Sequence, residues 1–371
     1  MPLAGAWAAL IGYASLYPLS GWHHPQGLWS LAFLNLPWPR WWDRFDVVAN
    51  LVGYLPLGAL VAIAALRAGY GRTVAVLVAA GAGALLSGTL EMAQNYLPRR
   101  VPSALDVALN AGGALLGAGL AALADALGWT LRWQHVRRRW FQGPSAGAMA
   151  LLLLWPIGLL FPAPVPLGLG QVWPQVQEAL VAFAAWAQAV PWAAAWLEPW
   201  AGGSGAAPPL PPMSPLAETA LTALGLLAPC LLAFTITRPG GRRLALAVGA
   251  ALAALAVTTL STALNFGPEH ALAWLVPTTL PAFGLALVLA GLAVGVPQRA
   301  AAALALVAVT GLVVLSAQAP ADPYFAQSLQ AWEQGRFIRF HGVAQWVGWL
   351  WPYAALVHLL RRAARGEGAW A

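Results

Sequence analysis

The sequence predicts an all-α polytopic membrane protein with about ten transmembrane helices and both termini in the cytoplasm. The first observation is composition: of 371 residues, 60% are hydrophobic and 8% are charged, and the mean hydropathy is +0.68. The second is that apolar runs long enough to cross a hydrocarbon core, about 17–25 residues, recur along the chain. The third is an uneven distribution of the basic residues between the two predicted sides. Together they predict a multi-pass protein of the inner (cytoplasmic) membrane.

Ten candidate spans follow one another along the chain. They cover roughly residues 3–20, 47–66, 73–92, 105–128, 146–163, 215–237, 243–264, 271–295, 300–317 and 341–360. Each is predicted to be a helix, because a segment in lipid must satisfy its backbone hydrogen bonds internally. Cys230 is the only cysteine and lies inside a span, so no intramolecular disulfide is predicted.

The arginines indicate the orientation. All 19 basic residues are arginine, and a cytoplasmic N-terminus followed by ten crossings leaves thirteen of them inside and six outside. This is the positive-inside bias of membrane proteins. The net charge of +7 then reflects arginines close to anionic lipid headgroups. Membrane lipids, and not nucleic acid, are the predicted partners.

Three parts are predicted along the chain. Residues 1–128 form a four-helix membrane unit, 129–145 a basic cytoplasmic loop, and 146–371 a C-terminal membrane block of about six helices. Within that block, residues 164–214 carry no arginine but five tryptophans. Because tryptophan favours the membrane interface, we predict that this segment lies on the outer face as an interfacial or re-entrant element.

The strongest functional signal is a set of nine polar or ionisable residues at the outer ends of the second, third and fourth spans. Such groups are costly in a bilayer and rarely incidental. Spacings of three and four residues place pairs of them on one helix face. The short loop between the third and fourth spans makes these helices antiparallel neighbours. We predict one ligand-binding pocket formed by Asp46, Asn50, Glu91, Gln94, Arg99, Arg100, Ser103, Asp106 and Asn110.

A purely structural explanation of these residues stays open. Asp46 and Asp106 lie in first turns, where a carboxylate caps free amides and favours the helix dipole. Arg100 could neutralise Glu91 or Asp106, and the asparagines could form interhelical hydrogen bonds worth about 0.6 kcal/mol. Four glycines that follow Asn110 are small enough for close helix packing: Gly112, Gly113, Gly117 and Gly119.

The polar residues occur in a definite order. The pieces are Asp46-x-x-x-Asn50 with Tyr-Leu-Pro-Leu-Gly (Tyr54 to Gly58), Glu91-x-x-Gln94, and Arg100-Val-Pro-Ser103-x-x-Asp106-x-x-x-Asn110. This order resembles the VanZ-like family over roughly residues 11–128. The family is named for an accessory protein that lowers susceptibility to teicoplanin, a glycopeptide acting on cell-wall precursors. The resemblance therefore implies a cell-envelope and antibiotic-resistance context, but no established reaction. Arg99 stands where the family commonly has glycine, so the geometry of this loop is expected to differ.

A second stretch repeats the start of the second span. Residues 339–348 align to it without a gap, so that His341 takes the place of Asp46 and Gln345 that of Asn50. Duplication and chance similarity both stay open. With duplication, the last helix would add His341 and Gln345 to the pocket. The histidines need not converge, so no metal site is predicted.

Two classes of function fit the sequence. The first is a binding protein whose outer pocket takes a phospholipid headgroup, a lipid-linked wall precursor or a glycopeptide, with arginine meeting phosphate or carboxylate. The second is a membrane enzyme or proton-coupled transporter that exchanges protons on Glu91, Asp46 or Asp106. Binding is favoured, because a transporter needs polar residues at mid-membrane depth and the later spans have almost none. The sequence shows no phosphate-binding glycine loop. Catalytic residues stay unknown, and no cofactor is predicted.

Overall fold

The computed structural model describes residues 2–16, 21–23, 36–42, 44–98, 100–143, 145–173, 213–319 and 338–364, with isolated positions between 176 and 186. Within these residues the chain is α-helical, and its only extended pairing is an isolated bridge between Phe141 and Thr237. This confirms the all-α prediction. Six of the described helices are long and apolar enough to cross a membrane, which is consistent with a membrane protein. The chain divides into two compact units, residues 1–139 and 140–371.

The first unit begins with four helices and ends in a fifth. They are α1 (Pro2–Leu16), α2 (Arg44–Arg67), α3 (Arg72–Gln94), α4 (Ala104–Ala126) and α5 (Trp129–Trp140). Helices α2, α3 and α4 pack against one another, and α1 packs on α2 and α3. The short connections on either side of α3 make it antiparallel to both α2 and α4. Helix α5 lies in the basic segment and carries three arginines in its last turn, where cations favour the negative end of the helix dipole.

Glycine allows α2 and α4 to approach until their backbones touch. A Cβ atom added at Gly58, Gly113 or Gly117 would overlap backbone atoms of the facing helix. Small residues permit this kind of close helix contact inside membranes. The other two glycines predicted for close packing are placed differently: a Cβ at Gly119 would meet nothing within 4 Å, and one at Gly112 would meet a leucine methyl at 4.0 Å. Gly113 and Gly117 are therefore the packing glycines of α4.

The second unit is arranged around one central helix. Its helices are α6 (Ala146–Leu159), α7 (Pro215–Phe234), α8 (Gly241–Phe266), α9 (Thr279–Leu292), α10 (Gln298–Ser316) and α11 (Ile338–Ala364), with short 3₁₀ helices at Pro268–His270 and Ala293–Gly295. Helix α7 packs against α6, α8, α9 and α10. Every residue from Gly225 to Phe234 is buried. A helix that is apolar on all sides, as α7 is, belongs in a core.

Each predicted span contains a helix, but two of these helices, α6 and α9, are shorter than predicted. Each has 14 residues. At 1.5 Å per residue they are about 21 Å long, against about 30 Å for a hydrocarbon core. The predicted span 271–295 begins too early, because residues 271–278 form turns and coil after Gly267 ends α8 with a φ of 98°. The number of crossings and the orientation stay predictions.

The segment after α6 is non-helical and nevertheless buried. It covers residues 160–172, and Phe161, Leu167 and Leu169 are at most 4% exposed. Residues 164–170 are the first part of the predicted outer segment 164–214, and most of them are buried in the second unit. Their position on the outer face, as an interfacial or re-entrant element, stays a prediction. Most of the remaining predicted segment lies outside the described residues. Burial of this kind is the condition under which non-helical backbone is tolerated at membrane depth.

Candidate functional site

The start of α4 is held by groups from elsewhere in the first unit. The N–H of Ser103 donates to Oε2 of Glu91 on α3 at 2.8 Å. Ser103 is the N-cap, and its hydroxyl accepts from the N–H of Asp106 at 3.4 Å. The N–H of Ala104 donates to the carbonyl of Pro37 at 3.0 Å. Three donors at this helix start are thus bonded within the protein, so the helix N-terminus alone is not an anion site.

The last turn of α1 accepts hydrogen bonds from two of the predicted site residues. Nε2 of Gln94 donates to the carbonyl of Ser15 at 3.1 Å, and the guanidinium of Arg100 donates to the carbonyl of Ala14 at 3.4 Å. These two hydrogen bonds connect both side chains to the backbone of α1. They bring α1 to the edge of the site, which the spacing of the polar residues did not indicate. The pairing of Arg100 with a carboxylate stays a prediction.

A buried polar junction joins α2, α3 and α4. On α3 it lies one helical turn before Glu91. Nδ2 of Asn110 donates to the hydroxyl of Ser87 at 2.8 Å. The hydroxyl of Tyr54 interacts with Ser87 and lies within electrostatic range of Glu91. Tyr54, Ser87 and Asn110 are at most 4% exposed. Sequence reasoning did not select Ser87, although its position four residues before Glu91 puts both on one face of α3.

One atom in this junction is left without a donor. Oδ1 of Asn110 is buried, and no described residue donates a hydrogen bond to it. Buried polar atoms are nearly always paired, and an unpaired one costs about 1–3 kcal/mol. Oδ1 of Asn110 can therefore accept a hydrogen bond from one further donor.

The predicted site residues form two layers. The buried layer consists of four residues that are at most 8% exposed: Glu91, Gln94, Ser103 and Asn110. The accessible layer consists of four residues that are exposed or half-buried: Asp46, Asn50, Arg100 and Asp106. Arg99 lies outside the described residues. Helices α2 and α4 run parallel and touch through their glycines, so the accessible residues of both lie at the same end of the unit.

The opposite end of α3 and α4 carries a different kind of charge contact. Nε of Arg72 lies 3.1 Å from Oδ2 of Asp125, and the two side chains are 56% and 27% exposed. An ion pair exposed to solvent contributes little to stability, typically about 0–1 kcal/mol. The two ends of this helix pair therefore differ: one has an exposed ion pair, and the other has a buried carboxylate bonded to backbone.

The two further candidates from the C-terminal repeat lie in the second unit. His341 and Gln345 are on α11, where Gln345 is half-buried and the side chain of His341 lies outside the described residues. Their contribution to the pocket stays a prediction. In the part of the chain that the structure describes, no three His, Cys, Asp or Glu side chains come together in a way that could hold a metal ion.

A protein-family model matches most of the first unit. Residues 3–125 match the family model described as VanZ/LLP1. The matched range contains α2, α3, nearly all of α1 and α4, and all nine predicted site residues. The protein is thus VanZ-like over its N-terminal third, which confirms the resemblance carried by the ordered polar motifs. No curated protein and no solved structure matches the chain.

Proposed function

We propose that the accessible layer of the VanZ-like unit is an extracytoplasmic binding site for a polar headgroup. The ligand class comprises phospholipid headgroups, cell-wall precursors and glycopeptides, and binding affects envelope stress or antibiotic susceptibility. One observation carries the proposal: the accessible layer presents a guanidinium, two carboxylates and a carboxamide above a buried layer that is already hydrogen-bonded. The buried residues hold the helices, and the accessible residues can reach a ligand.

The accessible layer favours a ligand that combines an anionic group with hydrogen-bond donors. A guanidinium has five N–H donors in a rigid plane that matches phosphate or carboxylate. The guanidinium of Arg100 donates to the carbonyl of Ala14, which anchors the side chain at the edge of the site. Asp46 and Asp106 accept hydrogen bonds from amines or hydroxyls. An aminophospholipid headgroup and a wall-precursor peptide both combine an anionic group with such donors.

The alternative function is a membrane enzyme or proton-coupled transporter that uses Glu91, Asp46 or Asp106. Its supporting observation is the polar junction that continues from Glu91 to Asn110. Further along the same face of α3, however, the buried residues are Gly83, Ala79 and Ala75. These residues carry no proton-exchanging group, whereas a proton path requires polar residues at mid-membrane depth. Headgroup binding is therefore the function that the described contacts favour.

Native mass spectrometry of the full-length protein in detergent tests the proposal. We expect the wild-type protein to retain a co-purifying lipid or wall precursor and Asp106→Asn to retain less of it, because the carboxylate charge in the accessible layer is lost. Asp125→Asn is the matched control, since it removes a carboxylate charge from the opposite end of the same helix. Equal ligand occupancy in all three proteins, or no bound ligand in any of them, would overturn the proposal.

A further inference from the structure

We propose that the second unit contains a separate binding site for an uncharged amphiphile, a molecule with an apolar chain and a hydroxyl or amide group. The site is a cavity of about 530 Å³. Its walls are the buried loop 161–169, the last turns of α8 and the turns at 270–276. The volume lies in the usual range of small-molecule sites, about 300–1,000 Å³.

The apolar lining of this cavity includes three aromatic rings, those of Phe161, Phe266 and Trp274. The Trp274 ring is fixed on two sides. Its Nε1 donates to the hydroxyl of Thr259 at 3.1 Å, and its centroid lies 6.1 Å from that of Phe283. A largely apolar wall with fixed aromatic groups is typical of a preformed site for an apolar chain.

The polar groups of the cavity lie on one side of α8. The Ser261 hydroxyl donates to the carbonyl of Leu160 at 2.7 Å, and the Thr262 hydroxyl donates to the carbonyl of Thr258 at 2.9 Å. Their protons are therefore used, while their oxygens can still accept. The Thr258 hydroxyl is buried and has no hydrogen-bond partner among the described residues. It can both donate to and accept from a ligand hydroxyl or amide.

The cavity provides no fixed charge for an ionic headgroup. None of its described lining residues is Asp, Glu, Lys or Arg. His270, its one histidine, is exposed, and its Nε2 lies 4.0 Å from Oε1 of Glu269. A phosphate or carboxylate inside would lose its hydration without gaining an opposite charge, which is strongly unfavourable. The chemistry therefore selects an uncharged polar group.

A proline in α11 helps to hold the loop wall. Pro352 has no N–H, so the carbonyl of Gly348, four residues earlier, lacks its helical donor. The N–H of Gly170 donates to that carbonyl at 3.0 Å. The hydroxyl of Tyr353 donates to the carbonyl of Gly170 at 3.2 Å. The end of the loop is thus bonded to α11 on both its donor and its acceptor side.

The middle of the same loop contains a strained residue. Leu167, which lines the cavity, has a φ of 61°, in a region that residues with a side chain rarely occupy. Its carbonyl packs against Gly225 of α7, where a Cβ would overlap it. Such strain persists where the surroundings determine the conformation, and it is concentrated at ligand sites. The loop conformation is therefore maintained by α7 and α11, and the cavity is preformed.

The cavity can be reached by a molecule dissolved in lipid. It lies at the C-terminal end of α8, which is one of the helices long and apolar enough to cross a membrane. Ala273 and Val276 line it and are exposed, so the cavity opens at these turns. This site is independent of the headgroup site proposed in the first unit.

Photolabelling of the full-length protein in detergent tests this site. The probe is a long-chain alcohol with a diazirine in its chain, and labelled peptides are identified by mass spectrometry. We expect label in peptides covering residues 161–169 and 258–276, competed by the unlabelled alcohol and much less by the ionised fatty acid of the same length. Ala273→Trp should fill the mouth and reduce this label to background. Thr258→Val should weaken competition by the alcohol about threefold to tenfold, the effect of one lost hydrogen bond.

The matched control is Ala303→Trp, which places the same side chain on an exposed position of α10. It should leave the labelling unchanged. Unaltered labelling in Ala273→Trp, or labelling of α10 equal to that of the cavity peptides, would overturn the proposal. If Ala273→Trp does not fold, Thr258→Val tests the site instead. Unchanged competition by the alcohol in this variant would show that Thr258 makes no hydrogen bond to the ligand, and it would overturn the proposal. Equal competition by alcohol and fatty acid would overturn the selection for an uncharged group.

Discussion

Glu91 on α3 accepts a hydrogen bond from the backbone N–H of Ser103, the N-cap of α4, at 2.8 Å. In a capping box, the acidic residue three positions after the cap would accept from this N–H. Asp106 occupies that third position here, but it is Glu91 of the preceding helix that accepts. Glu91 therefore fixes the connection between α3 and α4 in addition to any role toward a ligand.

The first prediction separates these two roles of Glu91. Glu91→Gln keeps an acceptor for the Ser103 N–H, so its thermal stability should stay close to that of the wild-type protein. Glu91→Leu leaves that N–H buried and unpaired, so the free energy of unfolding should fall by about 1–3 kcal/mol. Thermal unfolding in detergent, followed by the emission of the 21 tryptophans, measures both. Equal unfolding temperatures of the two variants would contradict the structural role.

The second prediction concerns the contact between α2 and α4. Gly117→Ala adds a Cβ that would overlap the backbone of α2, so we expect the variant to be lost from the membrane fraction. Gly119→Ala, on the same helix, adds a Cβ with nothing within 4 Å and should remain at wild-type abundance. Immunoblots of membrane fractions make the comparison. Similar abundance of the two variants would show that the helices do not approach as described.

The third prediction concerns a buried arginine in the second unit. Arg243 is 0% exposed, and its guanidinium lies 5.2 Å from the centroid of the Phe234 ring. It donates to five backbone carbonyls near the ends of α7 and α9: those of Phe234, Thr237, Ala293, Val294 and Val296. One side chain thus joins two helix ends.

Arg243→Lys should therefore lower the free energy of unfolding by about 2 kcal/mol or more, because lysine has three donors and no planar fork. Arg238→Gln removes an arginine from an exposed position in the connection between α7 and α8 and should have little effect. Thermal unfolding of both variants in detergent provides the measurement. A larger destabilisation by Arg238→Gln would refute the assigned role of Arg243.

Features that depend on local pattern were predictable from the sequence. Apolar length gave the helices, and three- and four-residue spacings placed Glu91 and Gln94 on one face. The features that were missed depend on distant partners. The segment after α6 is bonded to α11 through the N–H of Gly170 and the carbonyl of Gly348, which Pro352 leaves without a helical donor. Arg243 contributed to the sequence analysis only as a positive charge, since its carbonyl partners come together only in the folded unit.

The fourth prediction tests the orientation inferred from the arginines. Both termini should be cytoplasmic and the segment that includes Pro209 should be extracytoplasmic, because this arrangement leaves thirteen of the 19 arginines inside. An alkaline phosphatase fusion after Pro209 should be active, and a green fluorescent protein fusion after Ala371 should fluoresce. Each reporter exchanged to the other position is the control. A cytoplasmic signal after Pro209 would exclude the arrangement with ten crossings.

The fifth prediction tests whether two carboxylate charges act in function: that of Glu91 in the buried layer and that of Asp106 in the accessible layer. Glu91→Gln and Asp106→Asn keep side-chain volume and most hydrogen bonding while removing charge. We expect both to abolish any envelope-stress or glycopeptide-susceptibility phenotype that the wild-type protein confers, while membrane abundance stays near wild type. Asp125→Asn removes a charge from the exposed ion pair at the other end of α4 and should keep the phenotype.

The two measurements together separate binding from structure. A normal phenotype at normal abundance in both variants would show that these charges are dispensable and that no charged site operates. Reduced abundance of Glu91→Gln and Asp106→Asn, but not of Asp125→Asn, would instead assign these residues to holding the helices together. The hydrogen bond from the Ser103 N–H makes the second outcome a specific alternative for Glu91, because Gln accepts that bond more weakly than a carboxylate. Asp106, half-buried in the accessible layer, is therefore the more decisive of the two positions for a role in ligand binding.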